Sequence, residues 1–187
     1  DTKRWELIPA DEKDPKNHPA DARIMVIGEQ PGDQEDLAGR PFVGPAGRLF
    51  DRALAEAGLD RSALYLTNAV KHFKFRPSGK RRLHVRADAD EQAACRPWLE
   101  AELAALRPEA VLCLGSTAAQ AVLGRGFALM AQRGRWQRRD DGLQVLATVH
   151  PSWVLRQPGS AREAAWAGFA RDLGVLAAGP PPSGNAA

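Results

Sequence analysis

The 187 residues include 44% hydrophobic side chains and carry a formal net charge of +3, with a pI near 9.1. This suits one globular domain with a sizeable core and is too mild a charge, by itself, to mark a nucleic-acid binder. No apolar run approaches the ~20 residues of a membrane span, residues 1–21 lack a signal-peptide core, and two cysteines cannot build a disulfide framework, so the sequence predicts a soluble cytoplasmic protein without a membrane partner.

Residues 1–21 are polar and broken by Pro9, Pro15 and Pro19, which predicts an irregular arm packed through Trp5, Leu7 and Ile8. The globular domain is expected over residues 22–176. Ala22 to Ile27 is a short apolar run closed by Gly28, the pattern of a buried parallel strand. Gly28 to Gly44 reads as loop, with Glu35 and Asp36 as solvated charges. Pro45 then opens a helix whose apolar residues Leu49, Phe50, Ala53 and Leu54 keep helical spacing up to Gly58. Ala63 to Val70 is a second strand.

From Lys71 to Arg86 there are seven Lys or Arg residues and no acid, with Phe73 and Phe75 interleaved. Such a loop suits a phosphate backbone, and equally a merely solvated basic surface. Asp88 or Asp90 caps a helix reaching about Leu106, with a disturbance expected at Pro97. Ala110 to Leu114 is a third strand followed by a short helix to Gly124. Residues 125–142 have hairpin composition. Leu143 to Val149 is a fourth strand closed by His150-Pro151-Ser152, and Ala161 to Leu176 is a helix that buries Trp166, Phe169 and Leu173. Residues 177–187 read as a disordered tail.

Strands alternating with helices predict an α/β protein, a three-layer α/β/α sandwich on a mostly parallel four-stranded central sheet. In such sheets ligands bind beyond the carboxyl ends of the strands. Glu29 and Gln30, Asn68, Ser116 and Thr117, and His150 with Ser152 therefore converge on one edge.

Five motifs in order, GEQPGDQEDLAGRPFVGPAG, TNAVK, GKRRLH, ACRPWL and VHPS, resemble the uracil-DNA glycosylase superfamily in its thermophile-type iron-sulfur branch. GKRRLH, at residues 79–84, resembles the loop of UdgX, the bacterial branch that couples covalently to uracil-containing DNA. The resemblance implies that uracil stacks on Phe42 in a pocket lined by Gln30 and Asp33. Asn68 would read the base edge, since a carboxamide offers both a donor and an acceptor to O4 and N3–H. His150 would donate a hydrogen bond toward uracil O2, and Glu29 would face the sugar cation. His84 would take the place of water and remain bonded to C1′. Lys80, Arg81, Arg82 and Ser152 would grip phosphates.

Relatives in this branch hold a four-iron, four-sulfur cluster through an N-terminal CxxC and two later ligands. Cys95 and His72 match the later pair, and no CxxC occurs in these 187 residues, so the expectation is that this chain carries no intact cluster. The function so implied is uracil excision from DNA with covalent capture on His84. The alternatives are a conventional, turning-over glycosylase and a catalytically weak DNA-binding module that has lost its cluster. The two phenylalanines of the basic loop favour single-stranded DNA. A nucleoid-associated monomer completes the expectation.

Overall fold

The computed structural model describes residues 21–181, so residues 1–20 of the proposed N-terminal arm and the last six residues of the proposed tail lie outside the described residues. Strand β1 (Ile24–Gly28) is flanked by β2 (Leu64–Asn68) on one side and β5 (Ala110–Leu114) on the other. β7 (Gln144–Thr148) follows β5, and β6 (Trp136–Arg138) closes that edge, giving a five-stranded sheet in the order β2-β1-β5-β7-β6. All pairings are parallel except β6 with β7. The expected sheet thus gains a short antiparallel edge strand from the segment of hairpin composition.

The central strands are apolar along their whole length because helices cover both faces. Met25, Val26, Ile27, Leu66, Leu112, Leu114 and Leu146 are fully buried. One face carries α2 (Pro45–Glu56), α6 (Pro151–Leu155) and α7 (Gly159–Ala178), which pack on one another. The parallel crossovers place α3 (Ala89–Leu106) and α4 (Ser116–Leu123) on the opposite face. A short helix, α5 (Leu129–Gln132), precedes β6.

Three local readings change. The loop after β1 contains a helix, α1 (Asp33–Ala38), and Ala177 and Ala178 continue α7 rather than beginning the tail. Helix α3 runs through Pro97 without interruption, forgoing the one bond that a proline nitrogen cannot donate. Its start is fixed by a capping box in which Asp88 accepts from the Glu91 amide and Glu91 accepts from the Asp88 amide.

The basic loop is also structured. β3 (Phe75–Ser78) and β4 (Arg81–His84) form a separate antiparallel ribbon, closed by a two-residue turn, Gly79-Lys80. Gly79 adopts φ 59°, which a hairpin turn of this length requires and glycine supplies without strain. The register sets Phe75 opposite His84 at the open end of the ribbon, where the Val85 amide donates to the Lys74 carbonyl at 2.9 Å.

Candidate active site

The carboxyl ends of β1, β2 and β7 border a cavity of about 590 Å³. Glu29 and Gln30 enter it from the end of β1, Asn68 from β2, His150 and Ser152 from the start of α6, and His84 from the ribbon. Phe42 forms part of its wall. Seven of the residues expected from the sequence to act on the base or sugar, or to grip its phosphates, therefore share one space.

Phe42 is held there by the chain around it. Its backbone has φ 54°, an uncommon conformation for an aromatic residue, and its side chain is buried. The Glu35 carboxylate accepts from the amides of Val43 (3.0 Å) and Gly44 (2.9 Å). From the other side the Arg61 guanidinium, itself paired with Asp51, donates to the carbonyls of Pro41 (3.0 Å) and Phe42 (3.3 Å). Glu35 is thus a clamp on the aromatic loop and not a solvated charge. The Phe42 ring lies 5.5 Å from that of Phe50 and 6.4 Å from the imidazole of His150, centroid to centroid.

Gly28 explains how the two walls meet. A Cβ there would stand 2.4 Å from Asn68 Oδ1 and 2.8 Å from Phe42 Cζ, so the strand must end in glycine for the carboxamide and the ring to pass over it. Asn68 is itself buried, at the end of β2.

His150 caps α6, its Nδ1 accepting from the Ser152 amide at 3.1 Å and standing 2.7 Å from Ser152 Oγ. An Nδ1 that accepts a backbone N–H carries no proton, so the neutral ring bears its proton on Nε2. Burial first, then the nearby Arg156 and His84, pushes the His150 pKa down to about 4. The ring is therefore a neutral hydrogen-bond donor at physiological pH. Gly115, with φ 94°, gives it room: a Cβ there would approach His150 Cβ to 3.2 Å.

Asp33 and Arg82 are engaged elsewhere. Arg82 Nε donates to Asp33 Oδ1 at 2.5 Å, and its Nη1 to Asp36 Oδ2 at 2.6 Å, while the guanidinium lies 5.2 and 5.1 Å from the ring centroids of Phe73 and Phe75. Asp33 does not line the cavity, and Asp36, expected in solvent, is buried. This ion-pair and cation–π cluster ties the ribbon to α1. Lys80 and Arg81, at the tip of the ribbon, are exposed. Gln30 adds a second tie, since its buried amide nitrogen donates to the carbonyl of Val85 (3.0 Å) and, more weakly, to that of Lys74 (3.4 Å).

Two lining arginines were not anticipated. Arg86 donates to Thr117 Oγ1 at 3.1 Å, and Arg156 stands one helical turn beyond Ser152. Their signals were legible in hindsight: His84 and Arg86 alternate along an extended segment, and Ser152 and Arg156 share a helix face at i, i+4. Thr117 reaches the site through Arg86, and Ser116 does not line the cavity.

The candidate cluster ligands lie away from this cavity. Cys95 is buried and its Sγ accepts from the Lys71 amide at 3.4 Å, whereas His72 Nδ1 is buried without a partner among the described residues. Cys113 is sealed in β5, where burial pushes its thiol pKa up. No group of three or more His, Cys, Asp or Glu side chains suited to a metal occurs among the described residues. Two donors do not complete the set of four that such a cluster needs.

The model for the family described as the uracil DNA glycosylase superfamily matches residues 15–174. The chain is 38% identical over 137 residues to the Type-4 uracil-DNA glycosylase of Thermotoga maritima, an alignment covering 73% of this chain and 68% of that one. Identity to the Type-4 uracil-DNA glycosylase of Pyrobaculum aerophilum is 36% over 163 residues, covering 83% and 77% of the two chains. For the Type-4 enzyme of Archaeoglobus fulgidus it is 35% over 147 residues, covering 73% and 69%. A match that runs from before β1 into α7, on a sheet whose strand ends meet in one cavity, has one reading: the chain belongs to the uracil DNA glycosylase superfamily.

Proposed function

We propose that this protein excises uracil from DNA and retains the abasic sugar as a covalent adduct on His84. The observation that carries the proposal is that His84 lines the same cavity as Phe42, Asn68, Glu29 and His150. A base inside a duplex or stacked strand is out of reach, so the nucleotide must be extracted into such a pocket. Its ring stacks on Phe42, and Asn68 pairs with O4 and N3–H. Cytosine presents the opposite donor and acceptor pattern there, which leaves a carboxamide held in the uracil-reading orientation unsatisfied.

Cleavage breaks the C1′–N1 bond and its electron pair departs with uracil. The neutral His150 ring donates to O2 as negative charge develops, a fixed dipole aimed at the leaving anion. Glu29 supports the complementary positive charge on the sugar. An imidazole nitrogen of His84 then donates its pair to C1′. The ring gives up its proton, the uracil anion gains one, and the sugar is left bonded to a neutral imidazole. Release would need a second nucleophile at a carbon now covered by the ring, so each molecule reacts once.

Lys80 and Arg81 at the exposed ribbon tip, with Ser152 and Arg156 at the cavity mouth, hold the flanking phosphates. Arg82 serves by holding the ribbon. A single-stranded substrate, a monomeric protein and a cytoplasmic, nucleoid-associated setting complete the proposal. Among the described residues, no helix is long and apolar enough to cross a membrane.

The test is incubation with a single-stranded uracil oligonucleotide followed by denaturing electrophoresis. A slower-migrating band that His84→Ser removes is the expected result. The names of the similar proteins favour a second reading, a conventional uracil-DNA glycosylase. In that case no stable band forms and free uracil exceeds one equivalent per protein.

A further inference from the structure

A second cavity, of about 290 Å³, opens between α3 and α4 beside the first. Asn68 faces the first cavity and its neighbour Ala69 the second, so the end of β2 separates them. Arg86 lines both. The second cavity also takes Arg96 from α3 and Arg125 from the residues after α4, and none of its lining residues is acidic. Its lining also includes Leu99 and three small side chains, Ala69, Ala93 and Ala121.

Three guanidinium groups around one hollow repel one another, and neither Arg96 nor Arg125 has an ion-pair partner among the described residues. Acids on α3 are engaged elsewhere: Asp88 and Glu91, at its start, both accept from Lys74 Nζ, at 3.1 and 2.7 Å, and Glu100, one turn beyond Arg96, faces Arg139 Nη1 at 3.6 Å. The first turn of α3, including Ala89 and Gln92, forms part of the wall, and the positive end of an 18-residue helix adds to the potential there. A planar fork of N–H donors suits a phosphate oxyanion in particular.

We propose that this α3–α4 groove is a second phosphate subsite, which takes a backbone phosphate of the bound DNA strand outside the extracted nucleotide. It rests on the proposed uracil-DNA function. Arg86, bonded to Thr117 and exposed to both cavities, links the two, so the strand passes from the uracil pocket across the end of β2 into the groove. The groove extends the footprint without reading sequence, because a phosphate carries no base identity.

The experiment compares wild type with the double variant Arg96→Gln/Arg125→Gln, both exposed positions outside the uracil pocket, in equilibrium binding of a long oligonucleotide and a trinucleotide whose 2′-fluorinated deoxyuridine resists glycosidic cleavage and so forms no adduct, over a range of salt. If one phosphate is lost, the slope of log affinity against log salt falls by about 0.7 for the long strand. The trinucleotide, too short to reach the groove, keeps its slope, and adduct yield with saturating cleavable uracil DNA is unchanged. Equal slopes for the two proteins on the long strand overturn the proposal, as does an equal loss on the trinucleotide. Titration with inorganic phosphate separates the other source of the anion. Phosphate binding that the double variant loses, with an unaltered DNA slope, assigns the groove to a free anion and overturns the DNA assignment. A wild-type protein that does not bind uracil DNA overturns the functional reading and this one together, whereas wild-type binding with equal slopes overturns this one alone.

Discussion

His150 is kept neutral by burial and by two neighbouring bases, and that state has a consequence for folding. Its folded pKa, about 4, lies below the ordinary value of 6.5, so as pH falls through that window the unfolded chain takes up the proton first. Stability contributed by the neutral ring is full above pH 6.5 and is lost progressively toward pH 4. Denaturant titrations at pH 7 and pH 5 should show lower stability at pH 5, and His150→Gln should flatten part of that difference. An unaltered pH dependence in the variant would remove His150 as its source. Excision, by the same reasoning, should not fall between pH 8 and pH 6 on account of His150, because the donor keeps its Nε2 proton throughout. The histidine was readable in the sequence from its place after a strand, but its protonation state was not. That depends on Ser152, Arg156 and His84, which converge only in the fold.

Among the elements, the ribbon from β3 to β4 is held less by its own sequence than by what it touches. FRPS and RRLH show no alternation of apolar and polar residues, and Pro77 removes a donor, so nothing local marks them as strands. Arg82 supplies the missing attachment by reaching Asp33 and Asp36 of α1 while lying over Phe73 and Phe75. Helix α1 was hidden for the same reason, being six residues with three acids in its first turn and a glycine at each end. Arg82→Gln should leave α1 and the ribbon untied and His84 poorly placed. A reacting group displaced by about 1 Å can lose on the order of a hundredfold in rate. Adduct formation should therefore slow by tenfold or more on that scale, with faster amide exchange at Arg81–His84. Wild-type trapping rates in the variant would show that the ribbon holds its shape without the cluster. The longer elements were legible, because buried strands such as Ala110–Leu114 and the capped helix α3 announce themselves by composition and by Asp88.

For the molecule as a whole, the parallel sheet gathers strand ends on one edge, and that edge was legible from the alternation of strands and helices. What holds the edge together was not. Next to Asn68 in sequence, Thr67 donates its Oγ1 to the Glu102 carboxylate of α3 at 3.0 Å, and Lys71 Nζ pairs with the same carboxylate, all three residues being buried. Burial alone would push the Lys71 pKa down, and Glu102 opposes that shift. In the sequence these residues are far apart and ordinary. Glu102→Ala would strand the ammonium group, at a cost of about 3 kcal/mol. For a chain of this length that corresponds to a fall of roughly 10 °C in Tm. A shift of only a degree or two would mean that Lys71 sheds its proton or reaches water.

The two-residue turn at Gly79-Lys80 sets a further rule. Successive side chains of a β-strand face opposite ways, so which residue of β4 looks into the cavity is a matter of parity counted from that turn. With Ser78 opposite Arg81, the count brings His84 opposite Phe75. Adding or removing one residue between Arg82 and His84 would leave the sheet, the pocket, the Arg82 tie and the uracil-reading groups as they are, yet turn a neighbour toward the sugar in place of the imidazole. On the proposed mechanism, capture and release are then separated by a single codon's insertion or deletion.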